Sequence, residues 1–196
     1  GEDLLRTLTY NVDMPTGALQ KGVYHLDRNE SEKAEHYFRL AIKLDNYSAP
    51  LRHEFAIALS MMGRTSEAID ALKEAIRLDP GEAEYHYKLA LAWNETGRTD
   101  NTVSSLVKAV QLNPRHSRAW YNLGLARNGM NQPEAAIAAL LKAENVEQND
   151  PDIPYARATI LLRLRRIPEA IEAAQRALEI QPNYNPARAL LQELGL

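Results

Sequence analysis

The sequence predicts an all-α fold, a helical solenoid built from a repeated pair of helices. Three observations predict it: a 34-residue period that runs through most of the 196 residues, small residues at fixed positions of that period, and helix-ending residues between them. Hydrophobic residues make up 45% of the chain and aromatic residues only 7%, as expected of closely packed helices. The length therefore sets the number of repeats rather than the number of globular domains.

Five copies of the period follow one another without an insertion or a deletion. We expect repeats at residues 15–48, 49–82, 83–116, 117–150 and 151–184, each folding as helix, turn, helix, turn. Residues 185–196 begin another first helix in phase with the others. Because they end before a second helix could form, they should act as a C-terminal capping helix.

Residues 1–14 are expected to be the remnant of a preceding repeat or an N-terminal cap. Leu4, Leu8 and Tyr10 fall in phase with the second helix of such a repeat. The chain opens on Gly1 without an initiator methionine or the apolar core of a signal peptide. We therefore expect a fragment of a longer protein, with a possible upstream domain.

Small residues mark the places where neighbouring helices should approach each other. Position 8 of the period is always glycine or alanine, and position 27 is always alanine. Position 20 is alanine in four repeats and the larger threonine, Thr102, in one. Helix axes about 8–10 Å apart leave no room for longer side chains at such points. The residues are Gly22, Ala56, Ala90, Gly124 and Ala158 at position 8, and Ala41, Ala75, Ala109, Ala143 and Ala177 at position 27.

Turn residues should separate the two helices of each repeat. Position 15 carries residues that tolerate a left-handed backbone, which ends a helix, at Gly63, Gly97 and Asn131. The last repeat departs from this pattern, because Arg165 replaces the turn glycine. Two positions later, the expected N-caps of the second helices are Ser31, Thr65 and Thr99. The last repeat also has Arg157 at a position that is normally buried, and Asp152 or a neighbouring glutamate is its expected partner.

Charge and composition exclude several classes of protein. With 23 basic and 26 acidic residues the net charge is −3, so neither nucleic acid nor an anionic membrane is an expected partner. The sequence has no run of about 18 apolar residues, so it predicts no membrane span. The absence of cysteine excludes disulfides, thiolate catalysis and covalent haem attachment within this chain. Both the cytoplasm and the periplasm accommodate a protein without cysteine, so the compartment stays open.

No pattern in the sequence predicts catalysis, a metal site or a cofactor. The five histidines include no pair at the i, i+4 spacing of a helical zinc site. Nucleophile-elbow, phosphate-loop and dinucleotide motifs are also lacking. We therefore expect a protein that is not an enzyme.

The fourth repeat shows the pattern most clearly. It reads Trp120-Tyr121-Asn122-Leu123-Gly124 and continues with Ala136, Leu140 and Ala143. This spacing resembles the 34-residue tetratricopeptide repeat (TPR). The resemblance implies a right-handed superhelix that binds a protein or peptide partner, with positions 2, 5, 9 and 12 of the first helices on its concave side. Only Asn122 matches the residues with which some TPR proteins clamp a terminal carboxylate, so a chaperone C-terminal tail is not an expected ligand.

The candidate binding residues follow from this resemblance. They form an apolar trough with tyrosine hydroxyls and amides, which suits an extended or helical peptide. The residues are His53, Ile57, Tyr87, Leu91, Asn94, Tyr121, Leu125, Asn128, Tyr155 and Thr159. The alternative interpretation is that the position-5 tyrosines pack against the adjacent helix. The basic group from Arg163 to Arg166 is interpreted as a solvated turn.

A second functional hypothesis comes from a looser resemblance. The segments 117–124 and 150–157 are similar to TPR tails that follow bacterial multihaem c-type cytochromes. This resemblance implies a docking or assembly module of a larger periplasmic redox enzyme, whose haem-binding cysteines would lie upstream. An upstream reading frame with Cys-x-x-Cys-His motifs would distinguish it from a separate adaptor.

Overall fold

The computed structural model describes residues 12–195, which form eleven α-helices and no β-strand. The all-α fold class predicted from the sequence is confirmed. The chain divides after Arg98 into two compact units, which we call unit 1 and unit 2. The expected N-terminal repeat remnant or cap falls mainly on residues 1–11, outside the described residues.

Unit 1 contains five helices. They are α1 (Pro15–Asp27), α2 (Ser31–Leu44), α3 (Ala49–Met61), α4 (Thr65–Leu78) and α5 (Ala83–Glu95). Each helix packs against the next, and α1 also contacts α3. On α2 the buried residues Ala34, Phe38 and Ala41 are spaced i, i+4, i+7, which places them on one apolar face.

Unit 2 contains six helices. They are α6 (Thr99–Leu112), α7 (Ser117–Gly129), α8 (Pro133–Val146), α9 (Asp152–Arg163), α10 (Ile167–Ile180) and α11 (Asn185–Glu193). Successive helices pack together, and α7 also contacts α9. The last helix, α11, buries Ala187, Leu190 and Leu191 and packs on α10. The predicted repeat 83–116 contributes α5 to unit 1 and α6 to unit 2, and the repeat boundaries stay a prediction.

The small positions are buried because the helices approach closely there. All five alanines at position 27 are fully buried, and Thr102 is 4% exposed. A Cβ atom added to Gly22 would lie 2.7 Å from Cε1 of Phe38. One added to Gly124 would lie 2.7 Å from Cγ of Leu140. Glycine at position 8 therefore makes room for a bulky residue on the second helix of the same pair.

The turn between the two helices of each pair has one conformation throughout. Position 15 has a positive φ in all five turns, at Asn29, Gly63, Gly97, Asn131 and Arg165. The next residue donates its N–H to a carbonyl five residues earlier, as in the bond from Arg64 to Leu59. This pattern is the Schellman motif, which satisfies carbonyls at the end of a helix.

The predicted N-caps of two second helices are wrong by one residue. Ser31 and Thr65 are the first helical residues of α2 and α4, and the N-cap residues are Glu30 and Arg64, whose side chains accept no capping hydrogen bond. The reason is the short turn, because the residue that closes the Schellman motif already stands at the N-cap. Its backbone carbonyl then starts the next helix, as in the bond from Ala68 N–H to Arg64 O.

A recurrent hydrogen bond fixes the loop that precedes several first helices. The side chain at position 4 donates to the backbone carbonyl of position 32 of the preceding repeat. The bonds run from Arg52 to Asn46 (3.1 Å), from His86 to Pro80 (3.4 Å), from Trp120 to Pro114 (2.9 Å) and from Arg188 to Pro182 (2.8 Å). Pro154 cannot donate at this position, and there Arg176 reaches the equivalent carbonyl of Gln148 at 3.5 Å.

The partner of Arg157 comes from the preceding pair of helices. Its Nη2 lies 3.1 Å from Oε2 of Glu144 on α8, and each side chain is 14% exposed. Arg176 approaches the other oxygen of Glu144 at 3.6 Å. Asp152, the other partner considered from the sequence, is bound by the hydroxyl of Tyr184 instead. The ion pair thus joins α9 to α8, and both of its side chains are mostly buried.

Candidate functional site

The candidate binding residues lie on four first helices, and each unit holds half of them. In unit 1, α3 carries His53 and Ile57, and α5 carries Tyr87, Leu91 and Asn94; in unit 2, α7 carries Tyr121, Leu125 and Asn128, and α9 carries Tyr155 and Thr159. Spacings of three and four residues place the members of each helix on one side of it. We call the two sets the unit 1 face and the unit 2 face.

The unit 1 face is largely engaged in packing. Tyr87 is only 6% exposed. The ring of His53 packs against Tyr85 with centroids 5.1 Å apart, and its Nδ1 lies 3.4 Å from a Glu54 carboxylate oxygen. The other members are the half-buried Ile57 and Leu91 and the exposed Asn94. Its position-5 side chains therefore offer little area to a partner.

The unit 2 face exposes more apolar surface. Leu125, in the middle of this side of α7, is 41% exposed. Tyr121 and Tyr155 are half-buried, because one side of each ring packs against the core of unit 2. Thr159 is exposed, and its hydroxyl donates to the carbonyl of Ala156 at 2.8 Å. The face thus combines an accessible leucine with two partly accessible tyrosines.

The C-terminal ends of α7 and α9 are joined by a side-chain hydrogen bond. Nη2 of Arg163 donates to Oδ1 of Asn128. Arg163 was predicted to lie in a solvated basic turn. It is instead the last residue of α9, and its side chain binds Asn128 of α7. Among the described residues its guanidinium pairs with no carboxylate. A cation with spare donors therefore borders this end of the unit 2 face.

An aromatic cluster with a carboxylate borders the opposite end of the unit 2 face. Tyr155 and Tyr184 meet edge to face with ring centroids 5.6 Å apart. The Tyr184 hydroxyl donates to Oδ1 of Asp152, which is the first residue of α9. Tyr184 was not among the predicted site residues, because the residue type at position 34 differs from repeat to repeat and gives no signal.

Burial and the neighbouring carboxylates affect the tyrosines at this end. Burial is the main cause that raises the pKa of Tyr184, and its hydrogen bond to Asp152 adds to the effect. The pKa of Tyr121 is also raised, first by burial and then by the charges of Asp152 and Asp150. Both hydroxyls therefore stay protonated at neutral pH and act as neutral hydrogen-bonding groups.

We also searched the other surfaces of the described residues for metal-ligand groups, clefts and membrane-spanning helices. No group of three histidine, aspartate or glutamate side chains in residues 12–195 is arranged to hold a metal ion. An open cleft of about 680 Å³ in unit 1 is lined by residues 29–33, Glu35, Met62 and Arg64, and Arg64 there is paired with Glu35 and Glu67. None of the described helices has the length and apolar character that crossing a membrane requires.

Comparisons with known proteins agree on the fold. The TPR repeat family matches residues 58–97, and the tetratricopeptide repeat family matches residues 103–152 and 129–185. No curated protein sequence matches the chain.

Three solved structures illustrate the similarity. MamA from Desulfovibrio magneticus is 20% identical, with 87% of this chain and 96% of that one covered and a TM-score of 0.78. YrrB, described as a TPR protein with an unusual peptide-binding site, is 18% identical over 96% and 97% of the two chains, with a TM-score of 0.77. PilF from Pseudomonas aeruginosa is 23% identical over 85% and 76%, with a TM-score of 0.75.

At these identities the solved structures show the fold alone. The family matches extend over more than half of the sequence and include the repeat that carries Trp120, Gly124 and Ala136. A TPR fold is characteristic of scaffolds for protein–protein interaction. The chain belongs to the tetratricopeptide repeat family.

Proposed function

We propose that this protein is a non-catalytic scaffold that binds a peptide segment of a partner protein on the first-helix faces, and that the unit 2 face provides most of the affinity. The observation that carries the proposal is the 41% exposure of Leu125 between Tyr121 and Asn128 on one side of α7. When a partner covers a large exposed apolar side chain, the side chain leaves water and the complex is stabilised. The described peptide-binding site of YrrB, a structural neighbour, is consistent with this role.

The contacts available on the unit 2 face suit a peptide of mixed polarity. Covering the exposed part of Leu125 would contribute about 1 kcal/mol, on the scale of about 1.5–3 kcal/mol for a complete leucine side chain. Tyr121 and Tyr155 are already held on one side by the core, so they lose little conformational entropy when a ligand covers the other side. Aromatic residues of this kind are frequent interface hot spots.

The unit 1 face has a smaller role in the proposal. Tyr87 was predicted to line the same trough as Tyr121 and Tyr155, but only 6% of it is exposed. Replacing it with alanine would leave a cavity, so a loss of binding in that variant would not identify a contact. Asn94 is the member of the unit 1 face best placed to add a polar contact.

The experiment selects peptides from a random 12-residue library displayed against the full 196-residue chain. The affinity of a selected peptide is then measured by fluorescence anisotropy for the wild type and for Leu125→Ala and Tyr155→Ala. Each variant should weaken binding at least about fivefold, which corresponds to about 1 kcal/mol per lost anchor. Urea unfolding of each variant establishes that its unit 2 is still folded.

A matched control is available in the same unit. Leu141 on α8 is 43% exposed, an exposed fraction similar to the 41% of Leu125, but it is not a member of the unit 2 face. Leu141→Ala should change the affinity by less than about twofold. Undiminished binding by both folded test variants, or an equal loss in Leu141→Ala, would contradict the proposal. Capture of a haem protein by the chain would instead favour the redox-docking hypothesis.

A further inference from the structure

The two ends of the unit 2 face differ in charge. Asp152, with Asp150 two residues before it, lies at the start of α9, and Arg163 is the last residue of the same helix. At about 1.5 Å per residue, the eleven steps from Asp152 to Arg163 separate the two ends by about 16 Å. The exposed Leu125 lies between these two levels on the adjacent helix α7.

The two helices run side by side in the same direction. Asn128, near the end of α7, receives a hydrogen bond from Arg163 at the end of α9. The two helices are also in direct contact, with Tyr121 in the first half of α7 and Asp152 at the start of α9. The charged ends and the apolar middle therefore belong to one continuous face between α7 and α9.

The charges at the two ends are not neutralised by the described part of the chain. Some carboxylates of unit 2 have arginine partners, as Glu144 has in Arg157 and Arg176. Asp152 takes part in no ion pair among the described residues, and its carboxylate accepts the Tyr184 hydroxyl. Within residues 12–195, the side-chain hydrogen bond of Arg163 goes to the amide oxygen of Asn128. Each end can therefore still accept a group of opposite charge.

The chemistry around Asp152 favours an organic cation. The side chain is exposed, and one hydrogen bond from Tyr184 leaves most of its acceptor capacity unused. The adjoining rings of Tyr155 and Tyr184 can stabilise a lysine or arginine head group through cation–π contact. Arg118, at the position of α7 equivalent to Asp152 on α9, forms no ion pair with it.

We propose that the partner segment is an extended peptide with a lysine or arginine at the Asp152 end, an apolar side chain over Leu125, and an aspartate or glutamate at the Arg163 end. This inference rests on the proposed function and adds the composition and direction of the ligand. An extended chain advances about 3.3 Å per residue, so the basic and acidic residues are about five positions apart. Charge complementarity at both ends sets the direction, and the leucine contributes apolar burial.

The test uses peptides selected from the random library against the full chain. The selected sequences should carry a basic and an acidic residue about five positions apart in a consistent order. Affinities are measured for wild type and Asp152→Asn, each with a selected peptide and its Lys→Gln or Arg→Gln form. Either change alone should weaken binding about fivefold, and the two together should weaken it no further, which shows that the groups interact directly. A parallel cycle pairs Arg163→Gln with Asp→Asn or Glu→Gln in the peptide.

Glu172→Gln provides the control, because Glu172 is an exposed carboxylate on α10 of the same unit. It should leave the affinity unchanged. Additive losses in both cycles, or selected peptides without this charge pattern, would overturn the inference, while a persistent Leu125→Ala effect would leave the proposed function standing. Absence of any peptide sensitive to Leu125→Ala would overturn both. Self-association of the chain that Leu125→Ala abolishes would identify a second copy as the occupant and would also overturn the inference.

Discussion

Equivalent positions of the repeat have different exposure in the two units. His53 and Tyr87 of unit 1 are mostly buried, with 13% of the His53 side chain and 6% of Tyr87 exposed. Tyr121 and Tyr155 of unit 2 are half-buried. The neighbouring helix explains part of the difference. The ring of Tyr85, on the first helix after His53, packs against it at a tilt, whereas the first helix after Tyr121 has Ile153 at the equivalent position.

This comparison shows what a repeat position determines. The period assigns a residue to one side of a helix, because that side depends only on the number of residues per turn. Exposure depends on the size of side chains from the adjacent helix, which the period does not fix. The two units also differ in the ion pairs that join their helices and in their turn residues, and these differences can be tested.

The largest expected effect concerns the ion pair of unit 2. Glu144→Ala should lower the free energy of unfolding of unit 2 by about 2 kcal/mol, because it leaves the mostly buried Arg157 without its carboxylate. The value is below that of a completely buried pair, since each side chain is 14% exposed and Arg176 can rearrange. Urea unfolding followed by circular dichroism measures it.

An ion pair of unit 1 that joins residues of two successive repeats supplies the control. Glu35 pairs with Arg64, whose side chain is 34% exposed and keeps Glu67 as a second partner. Glu35→Ala should therefore shift the unfolding midpoint less than Glu144→Ala. Equal shifts would show that burial of the arginine does not distinguish the units.

A smaller effect is expected where a first-helix glycine meets a bulky residue. Alanine normally stabilises a helix relative to glycine by about 1 kcal/mol. Gly124→Ala should instead destabilise unit 2 by about 1–2 kcal/mol, because the new Cβ would lie 2.7 Å from Cγ of Leu140. Gly22→Ala should do the same in unit 1 against Phe38. Thermal unfolding of both variants tests whether the units share this constraint.

Gly129 gives the opposite result if the explanation is correct. It belongs to the same helix as Gly124, but nothing lies within 4 Å of a Cβ added there. Gly129→Ala should leave the unfolding temperature unchanged or raise it. A fall equal to that of Gly124→Ala would point to a general intolerance of substitution in α7.

The smallest expected effect concerns the turns. Unit 1 has Asn29, Gly63 and Gly97 at this position, unit 2 has Asn131 and Arg165, and all five have a positive φ. A left-handed conformation costs a residue with a Cβ about 1 kcal/mol or more, part of which the greater freedom of unfolded glycine offsets. Arg165→Gly should therefore stabilise unit 2 by about 0.5 kcal/mol. The reverse change in unit 1, Gly63→Arg, should destabilise it, and a null result for both, measured by urea unfolding, would contradict this account.

The features most accessible from the sequence were those with a strict steric cause. The alanines of position 27 are fully buried as predicted, since no larger side chain fits between the helices. The left-handed turns at Gly63, Gly97 and Asn131 are likewise confirmed. Helix starts were one residue off at Ser31 and Thr65, because the shared Schellman turn was not visible in residue types.

Contacts between residues distant in sequence were less accessible. The bond between Arg163 and Asn128 and the bond between Tyr184 and Asp152 join residues 35 and 32 positions apart. These groups meet only because the helices pack together, so the residue pattern within one helix does not predict the bonds. For the same reason, the ten candidate binding residues could be assigned to helix faces from the sequence, but their accessibility could not.

The hydrogen bond to the position-32 carbonyl has a consequence for how this chain can vary. An oxygen atom of the loop needs one donor, and an indole, an imidazole or a guanidinium can supply it. Where Pro154 removes the local donor, Arg176 supplies one from another helix. The requirement thus belongs to an atom rather than to a residue type. Mutations can exchange one donor for another without reshaping the loop, so sequences can diverge widely here while the backbone is inherited almost intact.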